Sequence, residues 1–212
     1  MYYPYLRGRQ FELIALREYA VQYGFNNMII PIIEPVKKTF SSIRLALPKL
    51  IENNVMFGLV LNPQSGELTN PDDIMNGLSD VLNDRSKWIP AFVLSNEYER
   101  INNTINFHSF DNVMLICSEV TDCSNPNFSA LALSSKVKYI VSKENRSLKR
   151  MLLRQSKHLI RLDDNFKPQK RNKDYLAMPE EKFSEEHLFF KQDGYSGFSD
   201  YTVLVSEYSE GG

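Results

Sequence analysis

The chain alternates short apolar runs with polar turns and amphipathic stretches. Eight apolar runs occur, at 2–6, 28–33, 55–61, 88–94, 112–117, 137–141, 158–162 and 201–205. Most are followed by a polar or charged residue and then by a stretch with helical spacing. Strand, turn and helix repeated in this order predict a (β/α)8 TIM-barrel-like fold in a single α/β domain, residues 1–212. Because such barrels carry their chemistry at the carboxyl ends of the strands, the pattern also predicts where a site lies.

Local signals support these elements. The run at 28–33 is apolar at successive positions, as in a parallel strand that is buried on both faces. Asn70, followed by Pro71 and two aspartates, predicts the start of a helix, with Asn at the cap and Pro at the first helical position. Gly24 stands where a glycine would end the first helix.

The rhythm weakens after Asp164. Residues 165–200 are predicted to form an irregular insertion before the last strand, ending in a glycine loop at 193–200. No helical stretch follows the run at 201–205 to cover it. The sequence therefore predicts a barrel that is atypical, or incomplete or truncated after the eighth strand.

Composition narrows the class of protein. The chain is 42% hydrophobic and 24% charged, which is typical of a globular domain in water. It lacks both a run of about 20 apolar residues and the layout of a secretory signal, so we expect a cytoplasmic protein without membrane contact. The three histidines are scattered, so Cys117 and Cys123 are expected to be reduced thiols and not zinc ligands.

The charges are distributed unevenly. Residues 136–173 hold 13 Lys or Arg against three acids, a net charge of +10, while 1–135 carry −4 and 174–212 carry −7. Such asymmetry favours an anionic partner, a nucleic acid or a nucleotide, although an acidic tail lying against the basic segment would also explain it. Within 146–157, arginines recur at every fourth position, which predicts either a helix face that follows a phosphate backbone or a solvated face.

Polar residues at the predicted strand ends are candidates for one rim. They are Arg7, Arg9, Glu34, Asn62, Glu97, Glu119, Lys143, Asp163 and Asp164. Carboxylates from different strands can hold Mg²⁺ through oxygen ligands, and arginines can clamp a phosphate. On this hypothesis Glu34, Glu119 and Asp163 bind metal or act as base, Arg7 and Arg9 bind phosphate, and an enzyme of this kind would be a metal-assisted phosphodiester hydrolase. The alternative for each residue is a solvated loop side chain or a helix cap. No nucleotide-binding fingerprint or nucleophile elbow is present.

Three segments carry a family resemblance: 2–12, which reads Tyr-x-Pro-Tyr-Leu-Arg-Gly-Arg-Gln-Phe-Glu; 31–37, which reads Pro-Ile-Ile-Glu-Pro-Val-Lys; and 194–201, which reads Gly-Tyr-Ser-Gly-Phe-Ser-Asp-Tyr. Together they resemble the bacterial sce-type paired-gene family, which is similar to the phage-type beta-protein family, and the resemblance covers the whole chain. It implies a barrel-like fold, a protein partner encoded by a neighbouring gene and a phage-defence or mobile-element setting. It brings no established reaction. It also implies that related chains continue past the position of Gly212. It draws attention to Arg7, Arg9, Gln10, Glu12, Glu34, Pro35, Gly197 and Asp200.

Two functions follow as hypotheses. The first is a barrel whose rim, including Gln10, Asn62, Lys143 and Asp200 as ligand-binding residues, acts on or senses a phosphate-bearing ligand. The second is a non-enzymatic scaffold or partner-binding subunit of a two-gene system.

Overall fold

Parallel strands, each followed by a helix or a short helical turn, build the molecule. The computed structural model describes residues 1–68, 70–120, 122–169, 171–177, 180 and 182–203. Within this part of the chain eight strands form one sheet in chain order. They are β1 Tyr5–Leu6, β2 Ile32–Ile33, β3 Phe57–Val60, β4 Trp88–Val93, β5 Val113–Cys117, β6 Val137–Ser142, β7 His158–Asp163 and β8 Gly197–Asp200. All seven successive pairings are parallel.

Seven α-helices in the described residues connect the strands. They are α1 Gln10–Tyr23, α2 Ser41–Glu52, α3 Pro71–Gly77, α4 Tyr98–Phe107, α5 Pro126–Leu133, α6 Arg146–Leu152 and α7 Glu186–Phe189. Turns of 3-10 helix occupy Gly24–Asn26 and Asn172–Ala177. The (β/α)8 TIM-barrel-like fold that the sequence predicts is confirmed as a nearly closed barrel with one unsealed seam. None of the described helices combines the length and the apolar character needed to cross a membrane.

Alternation along the strands divides the core into two apolar layers, because successive strand residues point to opposite faces of a sheet. One layer fills the barrel and includes Tyr5, Ile32, Val60, Met114 and Leu162. The other lies between the sheet and the helices and is the larger of the two. Five of the first seven apolar runs contain the strand that they predict, and the strands in the other two, β6 and β7, each extend one residue past the run. The runs mark these strands because both faces of a parallel barrel strand are largely buried.

Helix starts follow local chemistry. At α3 the Asn70 side chain accepts a hydrogen bond from the Asp72 N–H at 3.1 Å, with Pro71 as the first helical residue, as the sequence predicts. Asn145 caps α6 in the same way, accepting from the Leu148 N–H at 3.0 Å. These caps end the polar turns that follow β3 and β6.

The barrel closes through a narrow junction between its first and last strands, the β8–β1 seam. Two backbone hydrogen bonds span it: Tyr3 N–H donates to the Phe198 carbonyl at 2.8 Å, and Phe198 N–H donates to the Met1 carbonyl at 3.1 Å. The Phe198 ring also stacks on Tyr2, with 4.9 Å between centroids. β8 and β1 form no continuous ladder within the described residues, so this seam is the weakest line of the sheet.

The eighth strand differs from its predicted position. The expectation placed a glycine loop at 193–200 and the strand at 201–205, but β8 occupies Gly197–Asp200, and Leu204 and Val205 lie outside the described residues. Close packing explains the misleading glycine: a Cβ at Gly197 would lie 2.5 Å from Tyr3 Cε2 and 2.7 Å from the Met1 carbonyl oxygen. Glycine therefore marks a close approach of two backbones inside a strand, and not a turn.

We predict that Gly197→Ala lowers the free energy of unfolding by about 1–3 kcal/mol, because the added methyl overpacks the seam. Gly58→Ala is the matched control: Gly58 is also a glycine within a strand, but its Cβ would meet only ordinary contacts of 3.5–3.7 Å. That variant should be neutral, or stabilising by up to about 1 kcal/mol. Urea denaturation of both variants measures the difference, and equal effects would contradict the close packing of the seam.

Candidate functional site

The carboxyl ends of the strands form a mouth above the apolar barrel interior. Every second residue of a strand points into the barrel. Where this series passes the buried interior layer at the carboxyl ends of the strands, it reaches a set of polar residues. These mouth residues are Arg7, Glu34, Asn62, Lys143, Asp164 and the buried Tyr201. TIM-barrel proteins place their sites at this position, so a site is expected at the mouth.

A buried ion pair forms the floor of the mouth. Glu34 is 0% exposed and Arg7 is 6% exposed, and the Arg7 guanidinium donates to Glu34 Oε2. The same carboxylate accepts from the Tyr5 hydroxyl at 3.0 Å and, through Oε1, from the Gln64 N–H at 2.7 Å. Three donors satisfy the carboxylate, as a charge removed from water requires. The sequence predicts Arg7 and Glu34 at one rim, and the structure brings them into contact.

Aromatic rings hold the Arg7 guanidinium in place. Its central carbon lies 5.1 Å from the centroid of the Tyr5 ring and 5.3 Å from that of Tyr201, within the range of cation–π contacts. Burial raises the pKa of Tyr201 to about 12; the charge of Arg7 opposes this rise, while Asp164, Glu34 and Glu119 add to it. Charges from several strands therefore act on one tyrosine at the mouth.

Three predicted site residues, Lys143, Glu119 and Asn62, lie near the rim but contact groups of the protein itself. Lys143 Nζ lies 3.0 Å from Glu119 Oε1 in an exposed ion pair, with 78% of the Glu119 side chain in solvent. Asn62 joins β3 to β4: its amide nitrogen donates to the Val93 carbonyl at 2.8 Å, and its oxygen accepts from the Val93 N–H at 2.9 Å. Asn62 thus extends the strand ladder by one side chain.

Asp163 lies on the outer side of the sheet, away from the mouth. β7 places Ile160 and Leu162 in the barrel interior, so the residues between and after them point outward. Asp163 accepts from Arg161 Nε at 2.9 Å, and Arg161 also donates to Glu144 at 2.6 Å. The structure therefore does not place Asp163 beside Glu34.

Asp200 faces outward at the β8–β1 seam. Its Oδ1 accepts from the Tyr2 hydroxyl at 2.8 Å and from the Thr202 N–H at 2.9 Å. Burial raises the pKa of Asp200, while these hydrogen bonds lower it. Asp200 and Glu34 occupy opposite faces of the sheet, so the two carboxylates do not share a pocket.

Arg9 and Gln10 belong to the start of α1. Arg9 is its N-cap residue, and its N–H donates to Glu12 Oε2 at 2.8 Å, which closes a capping box. Gln10 is the first residue of the helix and is exposed. Both residues help to begin the helix that follows β1.

The predicted Mg²⁺ site does not assemble in the described residues. No three His, Cys, Asp or Glu side chains of that part of the chain come together in a geometry that could hold a metal ion. Glu34 is buried under Arg7, Glu119 pairs with Lys143, and Asp163 faces outward with Arg161. The arrangement does not fit shared metal ligation by these three carboxylates.

Sequence reasoning overlooked the residues that complete these networks. Tyr5 and Tyr201 flank Arg7, and Tyr195 donates to Glu144 at 2.7 Å on the outer side. The signal for Tyr5 was available, because it stands two positions before Arg7 and therefore shares its face of the strand. The contact with Tyr201 depends on the return of β8 to β1, which no local pattern shows.

An apolar groove lies over the outside of the β8–β1 seam, the seam groove. It has a volume of about 660 Å³. Its lining is Met1, Tyr2, Tyr19, Asn26, Met28, Ile29, His187, Leu188, Phe190, Lys191 and Phe198. Met28 is 66% exposed and Leu188 is 57% exposed. The groove lies between α1 and α7, where the eighth helix of a TIM barrel would pack.

Fold and site define the class of protein: a (β/α)8 barrel with a buried Arg–Glu pair at its mouth and an apolar groove over its open seam. No family model, curated protein or solved structure matches the chain. The resemblance to the sce-type paired-gene family therefore stays a prediction.

We predict that Glu34→Gln lowers the free energy of unfolding by about 3–5 kcal/mol, because it leaves the Arg7 charge buried without a counter-charge. The double variant Arg7→Met/Glu34→Leu should recover most of this loss, since it removes both charges together. Urea denaturation gives the values. The exposed pair provides the control: Lys143→Gln/Glu119→Gln should change stability by less than about 1 kcal/mol. A Glu34→Gln variant as stable as the control would refute the role of the buried pair.

Proposed function

We propose that this barrel is a partner-binding subunit of a two-gene system, and that a partner polypeptide packs over the seam groove. The observation that carries the proposal is the groove itself, an apolar surface at the position that a helix covers in a complete barrel. Soluble proteins seldom leave a contiguous apolar surface open unless it binds something.

The lining of the groove suits a helix. Met28 and Leu188 offer exposed apolar side chains, and Phe190 and Phe198 form an aromatic floor with 5.4 Å between ring centroids. Helices laid into such grooves gain affinity from a few apolar anchors at positions i, i+3, i+4 and i+7. The partner would therefore present an amphipathic helix at the position that the eighth helix takes in a TIM barrel.

The mouth supports a binding role over a catalytic one. Arg7, Glu34, Asn62, Lys143 and Glu119 each contact another group of the protein. Glu34 and Asn62 tie neighbouring strands together, and Lys143 and Glu119 form an exposed ion pair with each other. The function is thus assigned to the outer surface, with the barrel as a scaffold.

The partner that the resemblance implies, the product of the neighbouring gene, provides the test. Co-expressed with it, the wild-type chain should elute as a complex whose mass light scattering measures. Met28→Asp/Leu188→Asp should weaken the complex at least about tenfold, because buried anchors carry most of the energy of such interfaces.

Leu45→Asp is the matched control, since Leu45 is 61% exposed on α2, away from the seam groove. It should leave the complex intact. Equal weakening by the groove and control variants, or no complex with the wild-type chain, would contradict docking at the seam.

A second candidate is a phosphate-bearing small ligand, a nucleotide, held at the mouth. The observation that favours it is the cation pre-positioned there, Arg7 between the rings of Tyr5 and Tyr201, with Lys143 at the rim above. The charges around the mouth oppose the binding of an anion, because three acids, Glu34, Asp164 and Glu119, outnumber the two cations.

For this candidate we expect ATP to bind in calorimetric titrations, and Lys143→Gln to weaken binding about tenfold by removing one charged contact. Lys138→Gln is the control, because Lys138 is also exposed and lies near the start of β6, whereas Lys143 directly follows the end of that strand. Absence of ATP binding, or equal loss in both variants, would argue against a ligand at the mouth.

A further inference from the structure

Two sets of cations stand out in the basic segment 136–173, and they differ in their contacts. The first set has partners within the protein. Three of its members form ion pairs: Lys143 with Glu119, Lys149 with Glu144, and Arg161 with Asp163 and Glu144. Lys136 and Lys157 donate to neutral oxygens, those of Asn106 and of the Ser134 and Val137 carbonyls.

Three arginines form the second set, the α6 arginine row: Arg146, Arg150 and Arg154. All three are exposed, and in the described part of the chain none of their side chains has a hydrogen bond or an ion pair. No described carboxylate of the acidic stretch after residue 173 neutralises them. The row is therefore an open concentration of positive charge on a protein with a net charge of −1.

Helix geometry sets the spacing of Arg146 and Arg150, the two arginines of the row that lie within α6. α6 buries Leu148 and Leu152 against the core, which turns the opposite side of the helix to solvent. Residues four apart on one side of a helix lie about 6 Å apart along its axis. Arg154 follows the helix with a φ of +96°, a left-handed conformation that costs a non-glycine residue about 1–3 kcal/mol. Arg154 therefore extends the basic row into the turn that directly follows α6.

We propose that the α6 arginine row binds the phosphate backbone of nucleic acid, a surface beyond the partner-binding role assigned to the seam groove. Guanidinium groups are planar, permanently charged and matched to phosphate oxygens in paired hydrogen bonds. A row of them contacts successive phosphates, which positions a protein on nucleic acid without reading its bases.

A lipid surface suits the row less well. A helix that lies on a membrane inserts its apolar face between the lipids. The apolar face of α6 is instead buried, with Leu148 only 1% exposed. The charged side alone is available, as backbone binding requires.

Fluorescence anisotropy with a labelled 20-base-pair DNA duplex of arbitrary sequence tests the proposal. Wild-type binding should weaken with salt, with a slope of log K against log salt of about −0.9 for each phosphate contacted. Arg146→Gln/Arg150→Gln/Arg154→Gln should weaken binding at least about tenfold and reduce the magnitude of the slope by about three. Far-UV circular dichroism verifies that the variant is folded.

Lys37→Gln/Lys38→Gln/Lys167→Gln is the matched control, because it removes three exposed cations away from α6 and changes the net charge equally. It should keep most of the wild-type affinity and slope. Equal loss in both triple variants would overturn the proposal, since only total charge would then matter. Absence of DNA binding together with binding to phosphatidylserine vesicles would also overturn it, in favour of a lipid surface. Because α6 and the seam groove are separate, Met28→Asp/Leu188→Asp should leave DNA binding unchanged.

Discussion

Closure of the sheet at the β8–β1 seam is the constraint on which the rest of the structure depends. A parallel sheet leaves backbone groups without partners at both edges unless its first and last strands meet. Here they meet through two backbone hydrogen bonds between 1–3 and Phe198, and Gly197 allows the close approach. This contact brings Tyr201 over Arg7 on the inside and leaves the seam groove on the outside. The mouth and the seam groove are thus two consequences of one junction.

The cost of burying charge explains the chemistry of the mouth. Glu34 is removed from water, so it must be compensated by Arg7 and by two further donors, Tyr5 and Gln64. Groups engaged in this way stabilise the fold and are poorly placed to hold a ligand. The arginines of the α6 row, which have no such partner among the described residues, lie on the outside of the barrel, where solvent removes the need for compensation. Both of the proposed binding surfaces therefore lie on the outside of the barrel.

The candidate site could be predicted only in part from the sequence. Arg7 and Glu34 were expected at one rim because each follows a strand, and they meet there. Asp163 and Asp200 also end strands, but they occupy the outer face, because a shift of one residue along a strand reverses the direction of a side chain. The pattern of apolar residues could not distinguish the faces, since both sides of these strands are buried.

The sequence by itself determined the order of strands and helices through β7 and the cap of α3, because apolar periodicity and capping are local properties of the chain. Only the tertiary structure decided the position of β8, the partners of the charged residues and the two outer surfaces. In the sequence Gly197 is typical of a turn, and only its close contact with Tyr3 explains why a strand needs glycine at this position. Such contacts join residues almost 200 positions apart, and their energy depends on burial and distance, which no short window of sequence contains.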